Sequence, residues 1–402
     1  MGGAPTDSIK KLISVKFKPR QDSYTDQFNR LFMVRMFLVA SLLTGLDWMT
    51  DEINCLVPKD YSISKSFVSN ACWMNGVYIY RNIHGENQSY YYGIPNDINH
   101  DGINKFQQPC ATVNNALKKN TECKPLQKTF FLQYQWFPIA IAAFGFLYYL
   151  PYLLFCLVNT DLDGLKAALS ESNIDYKKIV KKYFDYKVNK PKRLRLRVLM
   201  IVAVKLLYLL ANILTFLMID AIFNGGFSAY GREYTAWAGL SNEKAHEYFG
   251  KNLDVKAGSK FLPGFGICEV QESARDMVMV VTNKYRLVCE MSQHVVYQYT
   301  LVVLWFMLVC GIVVSILGFV YHIFDHFFHF CRNRGSDVLA LYKKLTVRER
   351  QYLEYIRRKN MTHYGDLVRA IIRERNIEEN DKADLSSSSD DGMNISGKQE
   401  RC

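Results

Sequence analysis

The sequence lacks the patterns on which the common enzyme classes depend. It contains no P-loop, no dinucleotide-binding glycine fingerprint and no Ser/His/Asp arrangement. An enzyme is therefore the least supported class, and no cofactor is called for. A basic stripe interleaved with exposed aromatics is missing too, so the formal charge of +12 does not point to nucleic acid. No cleavable-leader pattern accompanies the first apolar run, which is followed by Thr50-Asp51-Glu52 rather than by small residues, so a retained span is expected there. Charge is absent altogether from Trp136 to Val158. A run of that length crosses ~30 Å of hydrocarbon as a helix.

That uncharged run has the marks of a membrane span. Trp136 opens it, and Tyr148, Tyr149 and Tyr152 crowd its far half, as aromatics do near membrane interfaces. Pro138 falls in the first turn, where its missing N–H costs little. Pro151 lies inside the run and should kink the helix and free a carbonyl near Leu147 for a neighbouring helix to cover. Three further runs complete a bundle: Leu31–Met49 with Arg35 and Asp47 near its ends, Val198–Ile219 with Lys205 and Asn212, and Val295–Val320 with Trp305. Lys205 either faces the bundle or a water path, or snorkels to the basic side. Asn212 reads as an interhelical hydrogen bond.

The placement of charge orients the chain. Between Asn159 and Arg197 stand eleven Lys/Arg against five Asp/Glu, and between Cys331 and Asn360 nine against three. Thr50–Gln133 holds eight against seven and Ala221–His294 eight against eight. Basic and neutral segments thus alternate, which puts both termini on the cytoplasmic side. Six of the ten cysteines (Cys55, Cys72, Cys110, Cys123, Cys268 and Cys289) fall in the two neutral segments, as the redox compartments require. Six cysteines allow 15 connectivities, and spacing does not choose among them.

The expected fold class is a mainly α membrane protein: a four-transmembrane-helix bundle with disulfide-stapled extracellular loops and a helical cytoplasmic region. The expected order is a cytoplasmic N-terminal segment 1–30, spans 31–49 and 134–158 around an extracellular loop 50–133, a cytoplasmic loop 159–197, and spans 198–219 and 295–320 around an extracellular loop 220–294. A helical region 321–377 and an acidic, Ser-rich tail 378–402 follow. The first outer loop carries the sequon Asn87-Gln88-Ser89, a candidate glycosylation site. In the second, Gly225-Gly226 marks a turn, and Met277–Val281 and Tyr285–Val288 around Thr282-Asn283-Lys284 suggest a short hairpin. His322, Asp325, His326 and His329 share a helical face that reads as an interfacial helix end rather than a metal site. Lys190–Arg197 abuts the third span and should meet anionic membrane lipids.

Tyr134-Gln135-Trp136-Phe137-Pro138, followed by Leu147-Tyr148-Tyr149-Leu150-Pro151, resembles the innexin hallmark Tyr-Tyr-Gln-Trp-Val-Pro with its later aromatic-Pro; Gln133 replaces the first Tyr and Phe137 the Val. Cys55-Leu56-Val57-Pro58 and Cys72-Trp73 are similar to the first-loop cysteine motifs, with Leu56 where innexins usually have Trp. Lys205–Asn212, Leu262-Pro263 to Cys268, Cys289 and Leu304-Trp305-Phe306 extend the likeness, which runs from about Asp22 to Tyr364. The resemblance implies a large-pore channel at the plasma membrane and at gap junctions, an octamer that docks with a hemichannel of the apposed cell. It implies that Met1–Lys18 folds into the pore mouth and that Asp47, Asp51 and Glu52 line the outer pore. By the same likeness Cys55 pairs with Cys289 and Cys72 with Cys268, which leaves Cys110 and Cys123, outside the family pattern, to each other. An unpaired pannexin-like hemichannel and a tetraspan adhesion protein are the alternatives.

Overall fold

The four apolar runs are helices because hydrocarbon leaves backbone groups no partner but one another. The computed structural model describes residues 23–50, 53–59, 63–83, 87–89, 91–112, 123–171, 174–185, 188–244, 257–259, 261–275, 280–332 and 345–374; 47–50, 191, 272–275, 280–282 and 325–332 are described by backbone alone. Four helices are long and apolar enough to cross a membrane: Tyr24–Leu46, Phe137–Val158, Lys192–Ile222 and Ser292–Phe324. In chain order the elements are α1 (Tyr24–Gln27), a π-helical turn (Phe28–Met33), α2 (Val34–Thr50), β1 (Asn54–Cys55), α3 (Lys65–Asn75) and β2 (Val77–Tyr80). Then come β3 (Gly102–Ile103), β4 (Pro109–Cys110), β5 (Lys124–Pro125), β6 (Lys128–Phe131), α4 (Phe137–Leu147), α5 (Leu150–Val158), α6 (Thr160–Ala168), α7 (Tyr176–Tyr183) and α8 (Pro191–Ile222). The chain continues with α9 (Phe227–Ala238), β7 (Phe265–Arg275), β8 (Val280–Glu290), α10 (Ser292–Arg332), α11 (Val347–Lys359) and α12 (361–374).

Two elements depart from the sequence reading and one follows it. The first span begins at Tyr24 rather than Leu31, which brings Asp26, Asn29 and Arg30 into the helix and sets Arg35 well inside it. Polar residues between Tyr24 and Arg30 masked the helix start; of these, Asp26 and Asn29 have partners on a neighbouring helix. The second span breaks at Tyr148-Tyr149, between α4 and α5, as expected of Pro151, which removes the bond that the Leu147 carbonyl would accept. Thr282-Asn283-Lys284 is no turn. These residues lie within β8 opposite Ser273, Glu272 and Gln271, because the hairpin partner is the upstream strand β7 and not Met277–Val281.

The described residues form two units. The first contains Phe28–Tyr149 and Leu209–Val314. Its helices bury Met33, Phe37, Phe137, Ile141, Phe144, Tyr148, Tyr297 and Leu308 in one core that continues into the loops through Cys72, Val77, Cys268 and Cys289. The helices approach closely at small residues: a Cβ on Gly145 would lie 3.4 Å from that of Phe37, and Ser41 donates a 2.8 Å hydrogen bond to the Pro138 carbonyl. Above this core lies an antiparallel sheet of order β1-β8-β7-β2-β6. The second-loop hairpin β7–β8 therefore sits between first-loop strands on both edges. All four residues of β2 are buried, since Val77 and Ile79 face the main core while Tyr78 and Tyr80 face a smaller one with Ile83, Ile94, Leu126 and Ile267. A second sheet, β4-β3-β5, is contained in the first loop.

The second unit contains 23–27, Leu150–Tyr208 and the described residues from Ser315 on. Its core joins Leu162 and Leu165 of α6, Ile179, Val180 and Tyr183 of α7, Tyr352, Leu353 and Ile356 of α11, and Leu367, Val368 and Ile371 of α12. The helix starts are well capped: Asp175 accepts from the Lys177 and Lys178 amides, and Thr346 and Glu349 form a capping box. The join between α11 and α12 contracts to the single extended residue Asn360.

Candidate functional site: the stapled loops and the polar residues of the spans

Two disulfides tie the loops together. Cys55 of β1 stands directly opposite Cys289 of β8 in the sheet register, and the two are bridged. Cys72 of α3 is bridged to Cys268 of β7, and Cys110 to Cys123 within the first loop. The Cys55, Cys72 and Cys289 sulfurs lie within 4.8 Å of one another, and as disulfides they offer no thiolate to a metal. The bridges Cys55–Cys289 and Cys72–Cys268 close 234 and 196 residues, separations over which the unbridged chain has the most freedom to lose.

Charge pairing reinforces the staples. Glu269 of β7 accepts from the Tyr78 hydroxyl at 2.7 Å, Lys128 Nζ at 2.8 Å and Arg286 Nε at 3.2 Å. Arg286 reaches on to Asp101 at 2.9 Å, and Asp101 also accepts from the Thr112 amide at 2.7 Å and its hydroxyl at 2.9 Å. Burial pushes the Glu269 and Asp101 carboxyls up, but these donors outweigh it and hold both below the ordinary carboxylate range. One arginine of the second loop thereby links the main sheet to the small sheet of the first loop.

The motif at the head of the second span has a structural task in the same place. The Tyr134 hydroxyl donates to the Trp73 carbonyl at 2.6 Å, and Gln135 Nε2 donates to the carbonyls of Trp73 at 2.9 Å and Met74 at 3.2 Å. Trp73 and Met74 are among the last residues of α3, whose terminal carbonyls have no partner within the helix. Burial pushes the Tyr134 hydroxyl up to about 12, so it remains a donor at physiological pH. Gly76, with φ of 79°, lets the chain leave α3 for β2. Tyr134 and Gln135 thus join the start of the second span to the helix that carries Cys72. Pro138 is buried against the first span, whereas Trp136 is 42% exposed.

A family model described as Innexin matches residues 22–374. The chain belongs to the innexin family. No curated protein matches it. Innexins are gap-junction, large-pore channel proteins and not enzymes, so this innexin is a multi-pass membrane protein of gap junctions.

Within the spans of this innexin, polar side chains pair with one another. Asn212 of α8 is fully buried; its Nδ2 donates to Asn29 Oδ1 at 2.8 Å and its Oδ1 accepts from the Tyr148 hydroxyl at 3.0 Å. A Cβ on Gly311 of α10 would come within 2.5 Å of the same Oδ1. One amide therefore meets all four membrane helices. Lys205 neither lines a water path nor snorkels: Nζ donates to Asp26 at 3.0 and 3.2 Å and to Ser23 Oγ at 2.9 Å. Both charged side chains are under 10% exposed, as an intramembrane ion pair must be. The sequence reading missed Asp26 because it placed that residue in the cytoplasmic segment; its one clue was a lone lysine in a span, which calls for an acid.

A third cluster lies in the second unit. Asp161, at the start of α6, accepts from Arg348 Nη2 at 2.7 Å and Nε at 3.2 Å, and also from Arg197 and the Tyr352 hydroxyl. Arg348 is 1% exposed and donates further to Asn159 at 2.9 Å and Gln351 at 3.0 Å. Burial pushes the Asp161 carboxyl up, but the arginines and tyrosine more than offset this and hold it below the ordinary range. Arg197 is thus an ion-pair partner, while Lys190, Lys192, Arg193 and Arg195 remain exposed.

Asp47 falls in the last turns of α2, described by backbone alone, and Asp51, Glu52 and Met1–Lys18 lie outside the described residues. Asn87 is half-buried, and its Nδ2 donates to the Gln107 carbonyl at 2.8 Å. His322 is on α10, whose side chains from 325 to 332 are not described.

Proposed function

We propose that this innexin is one subunit of an oligomeric channel, an octamer by family resemblance, that docks with its counterpart in an apposed cell and passes ions and small molecules. The observation that carries the reading is the double staple between the loops. A chain that crosses a membrane needs no rigid outer sheet to anchor itself, but a channel that seals against another channel does. Loop strands locked by Cys55–Cys289, Cys72–Cys268 and the Arg286 grip hold a fixed relief for such a contact.

In this reading loops 50–133 and 220–294 are extracellular, both termini are cytoplasmic, and Asp47, Asp51 and Glu52 stand beside the outer pore. Carboxylates along a water path raise the local cation concentration. Replacing Asp51 with Lys is expected to shift ion preference toward anions; unchanged preference would remove Asp51 from the pore. The bond from Asn87 to Gln107 bears on a second reading, the unpaired hemichannel, because Phe106 beside it is 79% exposed at a turn tip. A glycan on Asn87 would stand next to that tip and obstruct head-to-head contact. Conductance between paired, otherwise uncoupled cells, measured beside the current of each cell alone, separates the two. Coupling supports the docked junction. Current in single cells without coupling supports the hemichannel, and Asn87→Gln should then restore coupling. Silence in both, with protein at the surface, overturns the channel reading for this subunit alone.

A further inference from the structure

The second unit presents a face of cations that form no ion pair among the described residues. On α7 the side chains of Ile179, Val180 and Tyr183 are buried, and Lys177, Lys178, Lys181 and Lys182 are exposed on the other side. None of the four enters an ion pair among the described residues; Lys182 lies over the Tyr183 ring, 5.5 Å from its centroid. They are spaced as two i,i+4 like-charge pairs, an arrangement that destabilises a helix. A helix with this face gains when an anion settles on it.

The same chain carries a matching segment. Glu378–Asp391 holds six acidic residues against the single Lys382, with Ser386–Ser389 immediately before Asp390-Asp391. The route to α7 is short. The Tyr176 hydroxyl, at the start of α7, meets His363 Nδ1 of α12 at 2.9 Å and Asp366 at 3.4 Å, and α12 also packs Leu367, Val368 and Ile371 into the core that holds Ile179 and Val180. From His363 to Glu374, where description of α12 ends, the helix advances about 16 Å. The 17 residues from Glu374 to Asp391 can span up to ~60 Å when extended, ample to return over α7, itself ~12 Å long. A tether of this length keeps the acids at millimolar effective concentration.

We infer that residues 378–391 of this chain dock on the lysine face of α7. The contact is electrostatic, and it strengthens as negative charge is added at Ser386–Ser389. It needs no assumption about what the channel passes, so it stands or falls apart from the transport reading.

Carbodiimide, which joins carboxylates to amines only in direct contact, tests the inference on the full-length protein in zwitterionic nanodiscs. Mapped cross-links are expected between Lys177, Lys178, Lys181 or Lys182 and the acids of 378–391. They should fade in 1 M salt, where the screening length falls to about 3 Å. Ser386–Ser389→Asp should raise the yield at fixed salt, and Ser386–Ser389→Ala should leave it unchanged. Absence of these links in the native chain would overturn the inference, as would a yield indifferent to salt or lowered by the Asp substitutions. Nanodiscs containing phosphatidylserine provide the second arm. If anionic lipid abolishes the links, the membrane and not the tail is the occupant, and the inference fails.

Discussion

Asp161→Asn keeps the side-chain shape but deletes the charge that two arginines share. Arg348 is the partner that suffers, because at 1% exposure it has no water to turn to, whereas Arg197 is 23% exposed on its side chain and can rehydrate. Breaking a buried ion pair by removing one member costs about 3–5 kcal/mol. Arg348 retains Asn159 Oδ1 and Gln351 Oε1 as neutral acceptors, which places the expected loss near the lower end, about 3 kcal/mol. Amide hydrogen exchange reads this locally: protected amides of Val347–Lys359 should exchange ~100-fold faster, since each 1.4 kcal/mol is tenfold. The pH dependence has a definite sign. The folded Asp161 carboxyl titrates below its unfolded value of about 3.9, so the unfolded chain binds more protons in acid and stability rises with pH. The contribution is complete above the unfolded value and is lost as pH falls through the lower, folded one. The deficit of Asp161→Asn should therefore be constant from pH 5 to 8. Replacing Arg348 with Met as well removes the stranded charge and should recover part of the loss. Unchanged exchange in Asp161→Asn, or a double variant as poor as the sum of the two single ones, would refute the reasoning.

Other expectations concern the first unit and the spans. Cys72→Ser opens a bridge across 196 residues and Cys110→Ser one across 13, so on chain entropy the first should cost more, roughly 5 against 3 kcal/mol, and surface delivery should fall further. Equal delivery of the two would count against the stapled cap. Lys205→Met strands Asp26 inside a span and should reduce assembled protein on size-exclusion chromatography; adding Asp26→Asn should restore it, and failure to do so would mean the pair has another task. Gly311→Ala forces a methyl to within 2.5 Å of Asn212 Oδ1 and should cost about 1–3 kcal/mol in thermal unfolding, with Asn212→Ala relieving the clash.

What sequence alone determined about this innexin is local or compositional. Uncharged runs of sufficient length, alternation of basic and neutral segments, and the six cysteines placed in the neutral ones follow from the solvent and redox compartment each residue meets. Pro151 marks the break at Tyr148-Tyr149 for the same local reason, a missing donor. Tertiary structure decided what depends on a distant partner. No periodicity reveals that Asp26 answers Lys205 across 179 residues, or that Arg348 answers Asp161 across 187. Nor does it reveal that Tyr134 and Gln135 cap a helix ending near Asn75. The turn signal in Thr282-Asn283-Lys284 is weak, and the register against β7, locked beside the bridged Cys268, overrides it. A buried polar group must find a partner, but which partner is a property of the packed chain, because only packing brings the two together and excludes the water that would otherwise serve.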